Sequence, residues 1–223
     1  MSEEVLIPKM KRLDKRQKKI KIPLLNFVLI LVCTLLIMAS TFINIDLKHY
    51  ILPNGFFSGE KVFTYEDFVY SFSIIPQVPV VLFVSSFLGK KMGTMSILLY
   101  IIAGLTFFPV FALGGGLLYV LQYSFGYILG YIPAAILCAT FLKKSKKSYL
   151  HIFIGVLLGV FVIHFLGIIY MSLVALIKHD GLSFIKGWIG AQSGLKILYD
   201  FVISFVFVLI GRYFHSFLKY IQD

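Results

Sequence analysis

Charged residues are scarce in this chain of 223 residues. Asp, Glu, Lys and Arg together make up 14% of the sequence, whereas hydrophobic residues make up 59%. Because ordinary soluble domains are about 25% charged, this composition excludes a typical soluble protein. The mean hydropathy of +0.93 agrees with this interpretation. The sequence therefore predicts an integral membrane protein.

Cysteine is also rare, and the sequence lacks the motifs of several enzyme classes. Cys33 and Cys138 both lie inside apolar runs without the spacing of metal ligands, so they predict neither a metal site nor a disulfide framework. The glycines at 114–116 are not followed by the Gly-Lys-Ser/Thr of a phosphate-binding loop, and there is no His-Glu-x-x-His segment. We therefore expect no enzyme activity, no metal and no cofactor.

Basic residues are in excess and occur in clusters. The chain has 21 Lys and Arg against 10 Asp and Glu, which gives a net charge of +11. Eight of the basic residues lie between Lys9 and Lys21, and four more lie in residues 143–147. In a soluble protein such runs would suggest nucleic-acid binding. Here they flank apolar spans, so the positive-inside rule explains them and we expect no nucleic-acid partner.

Long apolar segments predict six membrane-spanning helices. A helix needs about 20 residues to cross the hydrocarbon core of a bilayer, and the second segment is shorter than this. The predicted spans are residues 27–45, 74–88, 93–108, 117–142, 149–177 and 193–210. They divide the chain into a basic arm (residues 1–23), a six-helix transmembrane domain (24–217) and a short tail (218–223).

The distribution of basic residues predicts the orientation of these spans. Sixteen Lys and Arg fall in the arm, the residues after the last span (211–223) and the turns after the second and fourth spans, whereas four fall in the remaining loops. This excess assigns both termini to the cytoplasm of a multi-pass protein of the cell membrane. The loops at 46–72 and 178–192 would then lie outside, the first as an aromatic-rich interfacial cap.

Four polar residues in or beside the spans are candidates for a site. Lys196 and Asp200 lie one turn apart in the last span, on one helix face. Ionisable groups in hydrocarbon normally face inward and mark a function, although a self-neutralising pair or a snorkelling lysine is the alternative. His164 lies mid-span, where a helix–helix hydrogen bond explains it equally well. Gln77 stands between two prolines, at an irregular helix start that must line a cavity or be buried in protein.

These observations leave two classes of function. One is a subunit that binds or transports a small molecule, and the other is a structural or interaction protein of the membrane. The inward-facing Asp200, the glycine-broken hairpin between the third and fourth spans and the outer loop favour the first class. Binding of a small organic solute by the purified protein would distinguish them.

Three consecutive segments of the middle of the chain are similar to a known family. They are Gly104-Leu-Thr-Phe-Phe-Pro-Val-Phe111, the glycine run after it and Ser124-Phe-Gly-Tyr-Ile-Leu-Gly130. In this order they resemble the BioY family, the biotin-binding S components of energy-coupling factor (ECF) transporters. Gln77 falls on a glutamine of that family. The resemblance covers residues 74–142 well, whereas Lys196 and Asp200 reverse the order in which the family's last span often has its acidic and basic residues.

The resemblance implies an all-α membrane protein, a bundle of six transmembrane helices with a ligand cavity near the outer face. It implies that residues 24–217 are the substrate-binding domain of a subunit for high-affinity biotin uptake. Such a subunit works in the lipid bilayer with an ECF transmembrane coupling subunit and two ATPase subunits. An S component for a different vitamin or small solute is the alternative, followed by a structural or interaction protein without a transport role.

The chemistry of biotin suggests roles for the candidate residues. Its ureido ring offers two N–H donors and a carbonyl acceptor, so Asp200 can accept the donors in a desolvated site. Gln77 or Lys196 would serve the carbonyl or the valerate carboxylate, aromatic residues would cover the apolar part, and the glycine run would let backbone N–H groups approach. The predicted binding residues are Asp200, Lys196, Gln77, Tyr100, Phe111, Gly114, Gly115, Gly116, Ser124, Tyr127, His164 and Trp188.

Overall fold

A computed structural model describes residues 23–53, 56–58, 62–106, 108–144 and 149–222 of the chain. The predicted basic arm (residues 1–23) lies outside these residues apart from Pro23, and Asp223 of the predicted tail also lies outside them.

The described chain is mainly helical. Its α-helices are α1 (Pro23–Thr41), α2 (Gln77–Thr106), α3 (Phe125–Lys144), α4 (Tyr149–Ile177), α5 (Leu182–Ser193) and α6 (Lys196–Gln222). Within the described residues, five helical stretches are long and apolar enough to cross a membrane, and the last of them joins α5 to α6. They are Leu24–Thr41, Gln77–Thr106, Phe125–Lys143, Tyr149–Ile177 and Leu182–Tyr220. The prediction of a helical, multi-pass membrane protein is confirmed.

Helix α2 folds back on itself at Gly89. This glycine has φ 75° and ψ −179°, a conformation that is not helical and that essentially only glycine adopts. A Cβ built on Gly93 would lie 3.0 Å from the Cα of Ser85, although eight residues of straight helix rise about 12 Å. Residues 77–88 and 90–106 are therefore two antiparallel arms, which correspond to the second and third predicted spans and the basic turn between them.

Glycines allow the central helices to pack at short distance. A Cβ on Gly130 of α3 would lie 2.9 Å from the Cα of Ile163 in α4, and one on Gly159 of α4 would lie 3.0 Å from the Leu82 side chain in α2. Small residues at such crossings are typical of membrane helices, which gain packing rather than hydrophobic burial from association. Helices α2 and α6 complete this core, and α1 packs on α2.

A two-stranded antiparallel sheet follows α1, in the loop predicted at 46–72. Strand β1 (Ile45–Tyr50) pairs with β2 (Val69–Ile74), with Ile45 opposite Ile74 and Tyr50 opposite Val69. The His49 ring stacks on Phe72 with 5.4 Å between ring centroids. His49 Nε2 also lies 2.7 Å from Tyr199 Oη, which joins the sheet to α6.

Several boundaries differ from the predictions, and the first predicted span (27–45) extends past the end of α1 at Thr41 to the first residue of β1, Ile45. The predicted loop 178–192 contains α5, whose 12 residues are too short and too mixed to be recognised as a span. The predicted fourth span began at 117, but Leu117–Leu121 is a 3₁₀ turn and α3 starts at Phe125. Gly116 precedes that turn with φ 88°, outside the helical region. Helix α6 continues past the predicted span end at 210 and through most of the predicted tail.

Candidate binding site

A cleft opens where α2, α3 and α6 begin, beside the middle of α4. It encloses about 590 Å³ of space free of protein atoms, part of it open to the outside. The cleft is lined by Ile75, Gln77, Val78, Ala112, Tyr119, Ser124, Tyr127, Ile128, Tyr131, His164, Gln192, Lys196 and Asp200.

One wall of the cleft is organised by the side-chain amide of Gln77. Its Nε2 donates to Thr41 Oγ1 at 2.8 Å and to Tyr100 Oη at 2.5 Å. Its Oε1 accepts from Tyr131 Oη at 2.9 Å. Because an amide has two N–H donors, both donors of Gln77 are used within the protein. Gln77 thus joins α1, both arms of α2 and α3.

A second network crosses the opposite side of the cleft. Tyr127 Oη of α3 lies 2.8 Å from Ser193 Oγ, the last residue of α5. Ser193 Oγ lies 3.0 Å from His164 Nδ1 of α4, and His164 Nε2 lies 3.1 Å from Asp200 Oδ2 of α6. Ser193, His164 and Asp200 are all at least 97% buried. Four helices therefore meet in a continuous set of hydrogen bonds.

The second oxygen of Asp200 has no partner among the described residues. Oδ1 is buried and forms no hydrogen bond there, although a buried carboxylate oxygen without a partner is costly. Three other buried polar atoms of the described chain share this property: His151 Nδ1, Trp188 Nε1 and Ser204 Oγ. Of these four residues only Asp200 lines the cleft. The cleft therefore contains one strong acceptor that is available to a ligand.

Lys196 lines the cleft but is not the ion-pair partner of Asp200. Its Nζ donates to Gln192 Oε1 at 3.3 Å. Among the described residues, the carboxylate of Asp200 pairs with His164 rather than with Lys196. The helix spacing places the two residues on one face, as predicted, but the histidine on α4 lies closer to the acid. The positive charge of Lys196 is consequently available to a ligand.

Six of the twelve predicted residues line the cleft and six do not. Gln77, Ser124, Tyr127, His164, Lys196 and Asp200 line it. Tyr100 and Phe111 are almost completely buried beside it. Their rings contact each other at 5.3 Å, and Tyr100 is held by Gln77. These two aromatic residues support the wall of the cleft from behind and are not among its lining residues.

The glycine run is also absent from the lining of the cleft. Two of its backbone N–H groups are paired within the protein. Gly114 N donates to Phe111 O at 3.0 Å, and Gly116 N donates to Gly104 O at 2.8 Å. An added Cβ on Gly115 would lie 2.6 Å from Phe108 O. Close packing therefore explains Gly115, whereas Gly114 and Gly116 have φ 117° and 88°, which glycine adopts most readily.

Trp188 lies on α5, in an aromatic cluster near the cleft. Its ring contacts Tyr123 at 5.2 Å and Phe184 at 5.9 Å between centroids. Tyr123 Oη donates to Asp180 Oδ2 at 2.6 Å, and this hydrogen bond to the carboxylate raises the pKa of Tyr123. Lys178 Nζ lies 4.2 Å from the centre of the Tyr123 ring. The cluster holds α5 in place next to the start of α3.

Several cleft residues were missed by the sequence analysis. Tyr131 lies four residues after Tyr127, so the same helical spacing that relates Lys196 to Asp200 could have found it. Gln192 likewise lies four residues before Lys196. Tyr119 gave no comparable signal, because it precedes α3 in an irregular segment. In the described part of the chain, no group of three or more His, Cys, Asp or Glu could hold a metal ion.

The chain was compared with protein families, curated proteins and solved structures. The model of the BioY family matches residues 14–220. A probable biotin transporter BioY from Lysinibacillus sphaericus is 32% identical over 96 residues, which are 43% of this chain. The aligned part spans only about half of that relative, 49% of its length.

A solved structure has the same fold. It is the crystal structure at 2.1 Å of the S component for biotin from an ECF-type ABC transporter. The TM-score is 0.63 at 24% sequence identity, and the match covers 87% of this chain and 92% of the other. Since the family model covers nearly the whole chain, from within the basic arm to the last turn of α6, the protein is a member of the BioY family.

Proposed function

We propose that this protein is the substrate-binding S component for biotin uptake. The observation that carries the proposal is the cleft, which combines an unpaired buried acceptor on Asp200 with the cation of Lys196 one helix turn away. Membership of the BioY family supports the choice of ligand. The relatives described above are a probable transporter and a transporter component, which agrees with the prediction of a chain without enzyme activity.

Biotin has complementary groups for this cleft. A ureido N–H would donate to Asp200 Oδ1, and a hydrogen bond to a charged acceptor is stronger than one between neutral groups. The valerate carboxylate would approach Lys196. Ile128, Val78 and the Tyr127 ring would cover the apolar parts of the ligand. Gln77 would accept a further hydrogen bond at Oε1 and form part of the cleft wall. It would not donate to the ligand, because both N–H groups of its amide are already used.

The arrangement in the membrane follows from the two arms of α2 and the charge distribution. If each arm crosses the membrane, the spans number six and both termini lie on one side. Lys90 and Lys91 then share the cytoplasmic side with Lys143, at the far ends of the helices that open the cleft. By the positive-inside rule the cleft faces outward. Biotin is the transported ligand in this proposal and not a cofactor.

The proposal assigns the energy-consuming step to other proteins. We expect an ECF transmembrane coupling subunit and two ATPase subunits to complete the transporter. The exposed face of α1 offers an apolar surface for a partner helix or lipid. Its residues Phe27, Leu31 and Leu35 are 56%, 40% and 62% exposed.

Calorimetric titration of the detergent-solubilised protein with biotin tests the ligand. We expect tight one-to-one binding of biotin. Thiamine, a vitamin without a cyclic urea, should not bind. Binding of another vitamin with no response to biotin would overturn the ligand assignment and favour an S component for a different solute. Absence of binding to every vitamin tested would favour a structural role.

A further inference from the structure

In the network of Tyr127, Ser193, His164 and Asp200, the direction of the last hydrogen bond follows from the charge of the carboxylate. An ionised carboxylate can only accept hydrogen bonds. The contact of 3.1 Å between His164 Nε2 and Asp200 Oδ2 therefore places the hydrogen on Nε2. The other ring nitrogen, Nδ1, faces Ser193 Oγ at 3.0 Å. Both polar atoms of the imidazole are engaged, so His164 itself has no free group for a ligand.

The carboxylate of Asp200 is held in one orientation by this contact. Oδ2 is fixed by His164, and Oδ1 is left buried without a partner in the described part of the chain. A carboxylate without such a contact could rotate about its last bond, because that torsion has a broad energy profile. The histidine therefore determines which oxygen is left without a partner, in a side chain that lines the cleft.

The histidine is itself supported from two sides. Ser193 closes α5 and touches Nδ1, and the Tyr127 ring packs edge-on against the imidazole with 5.7 Å between centroids. Gly167, one turn after His164, leaves the space that the Tyr127 ring occupies, since an added Cβ would lie 2.5 Å from it. A carboxylate–histidine contact of this kind, with the second nitrogen also bonded, holds the ring in one orientation.

We propose that His164 is a positioning residue that makes the site specific for ligands with an N–H donor. It presents Asp200 Oδ1 as a fixed acceptor, with Ser193 and Tyr127 fixing the imidazole in turn. This inference rests on the proposed binding of biotin, whose ureido ring supplies the donor. A ligand with a methyl group on that nitrogen would leave Oδ1 buried and unpaired, so the cleft would reject it.

The test compares biotin with biotin methylated on a ureido nitrogen, for the unaltered protein and three variants, by calorimetric titration. We expect the unaltered protein to prefer biotin by more than tenfold. His164→Leu removes the donor to Oδ2, so biotin affinity should fall by more than tenfold and the preference should shrink below threefold. His164→Gln keeps an N–H donor of similar reach and should restore most of the preference. Ser193→Ala should reduce the preference by an intermediate amount.

The possible outcomes separate the inference from the proposed function. A preference that stays above tenfold in His164→Leu, with only the melting temperature lowered, means a merely structural histidine and overturns the inference. Equal behaviour of the Leu and Gln variants overturns it as well. If His164→Leu does not fold, the preference for biotin over methylated biotin is measured in Ser193→Ala and His164→Gln, and these two variants test the inference. Absence of biotin binding by the unaltered protein would refute the proposed function and the inference with it, before any variant is compared.

Discussion

The imidazole of His164 and the carboxylate of Asp200 lie 3.1 Å apart, on helices α4 and α6, and their side chains are 4% and 1% exposed. A buried carboxylate is stable only when it is paired and hydrogen-bonded. His164 satisfies one oxygen, and the other has no partner among the described residues, in a side chain that lines the cleft together with Lys196. In the proposed site the first oxygen is stabilised by His164 and the second is left for the ligand.

Replacing the acid should remove the acceptor. We expect Asp200→Asn to weaken biotin binding more than tenfold. The amide nitrogen would face either the ligand donor or the His164 donor, and an unsatisfied buried polar group costs about 1–3 kcal/mol. Calorimetric titration measures the change. Lys143→Gln, an exposed change at the far end of α3, should leave the affinity unaltered, and equal losses in both variants would contradict the site assignment.

The Gln77 amide should matter for stability as well as for binding. Gln77→Leu would leave the buried hydroxyl of Tyr131 without its acceptor and would remove one partner of the Tyr100 hydroxyl. At about 1–3 kcal/mol for each unsatisfied group, we expect a fall of several degrees in the melting temperature, measured by the thermal shift of the detergent-solubilised protein. Gln122→Ala, at an exposed position before α3, is the matched control. An unchanged melting temperature in Gln77→Leu would show that the three hydrogen bonds of the Gln77 amide contribute little to stability.

A methyl group at Gly167 should disturb the cleft without replacing any polar residue. Gly167→Ala would push against the Tyr127 ring and lengthen the hydrogen bond of 2.8 Å to Ser193. Overpacking of this kind costs about 1–3 kcal/mol, so we expect several-fold weaker biotin binding and a lower melting temperature. Gly187→Ala in α5, where no atom lies within 4 Å of the added Cβ, should be neutral. Equal effects of the two substitutions would contradict the packing argument.

The fold-back at Gly89 requires a glycine. An alanine there would have to adopt φ 75° with an extended ψ, and such strain costs about 1–3 kcal/mol. We expect Gly89→Ala to lower the melting temperature, although nothing lies within 4 Å of its added Cβ. Gly190→Ala lies inside a helix with the same free space and should be harmless. A stable Gly89→Ala protein would show that the turn can form without left-handed backbone.

Apolar patterning predicted the long helices well and the shorter elements poorly. The fifth predicted span, 149–177, has the bounds of α4 because its apolar run is uninterrupted and follows a basic turn. Helix α5 and strands β1 and β2 were predicted as loops. Their 12 and 6 residues mix polar and apolar side chains, and tertiary packing rather than local pattern determines their structure.

The sequence predicted the charged residues of the site but not the contacts between them. Asp200, Lys196 and His164 stood out because polar groups are unusual in apolar spans. That His164 rather than Lys196 pairs with Asp200 depends on how α4 is rotated about its axis. The two residues are 36 positions apart, and spacing along one helix carries no information about that rotation. Ser193 was overlooked for the same reason, as the end of a helix that the sequence did not reveal.

The short first arm of α2 has a consequence for how the membrane is sealed. Residues 77–88 rise only about 18 Å, whereas the hydrocarbon core is about 30 Å thick. If this arm crosses the membrane, as in the proposed arrangement, the antiparallel strands that lead into it would have to fill the missing height. Exposed peptide groups are not tolerated in hydrocarbon, so the pairing of β1 with β2 and the contact of His49 with Tyr199 would serve as insulation. In this arrangement the strand pair would separate the start of the first arm from lipid.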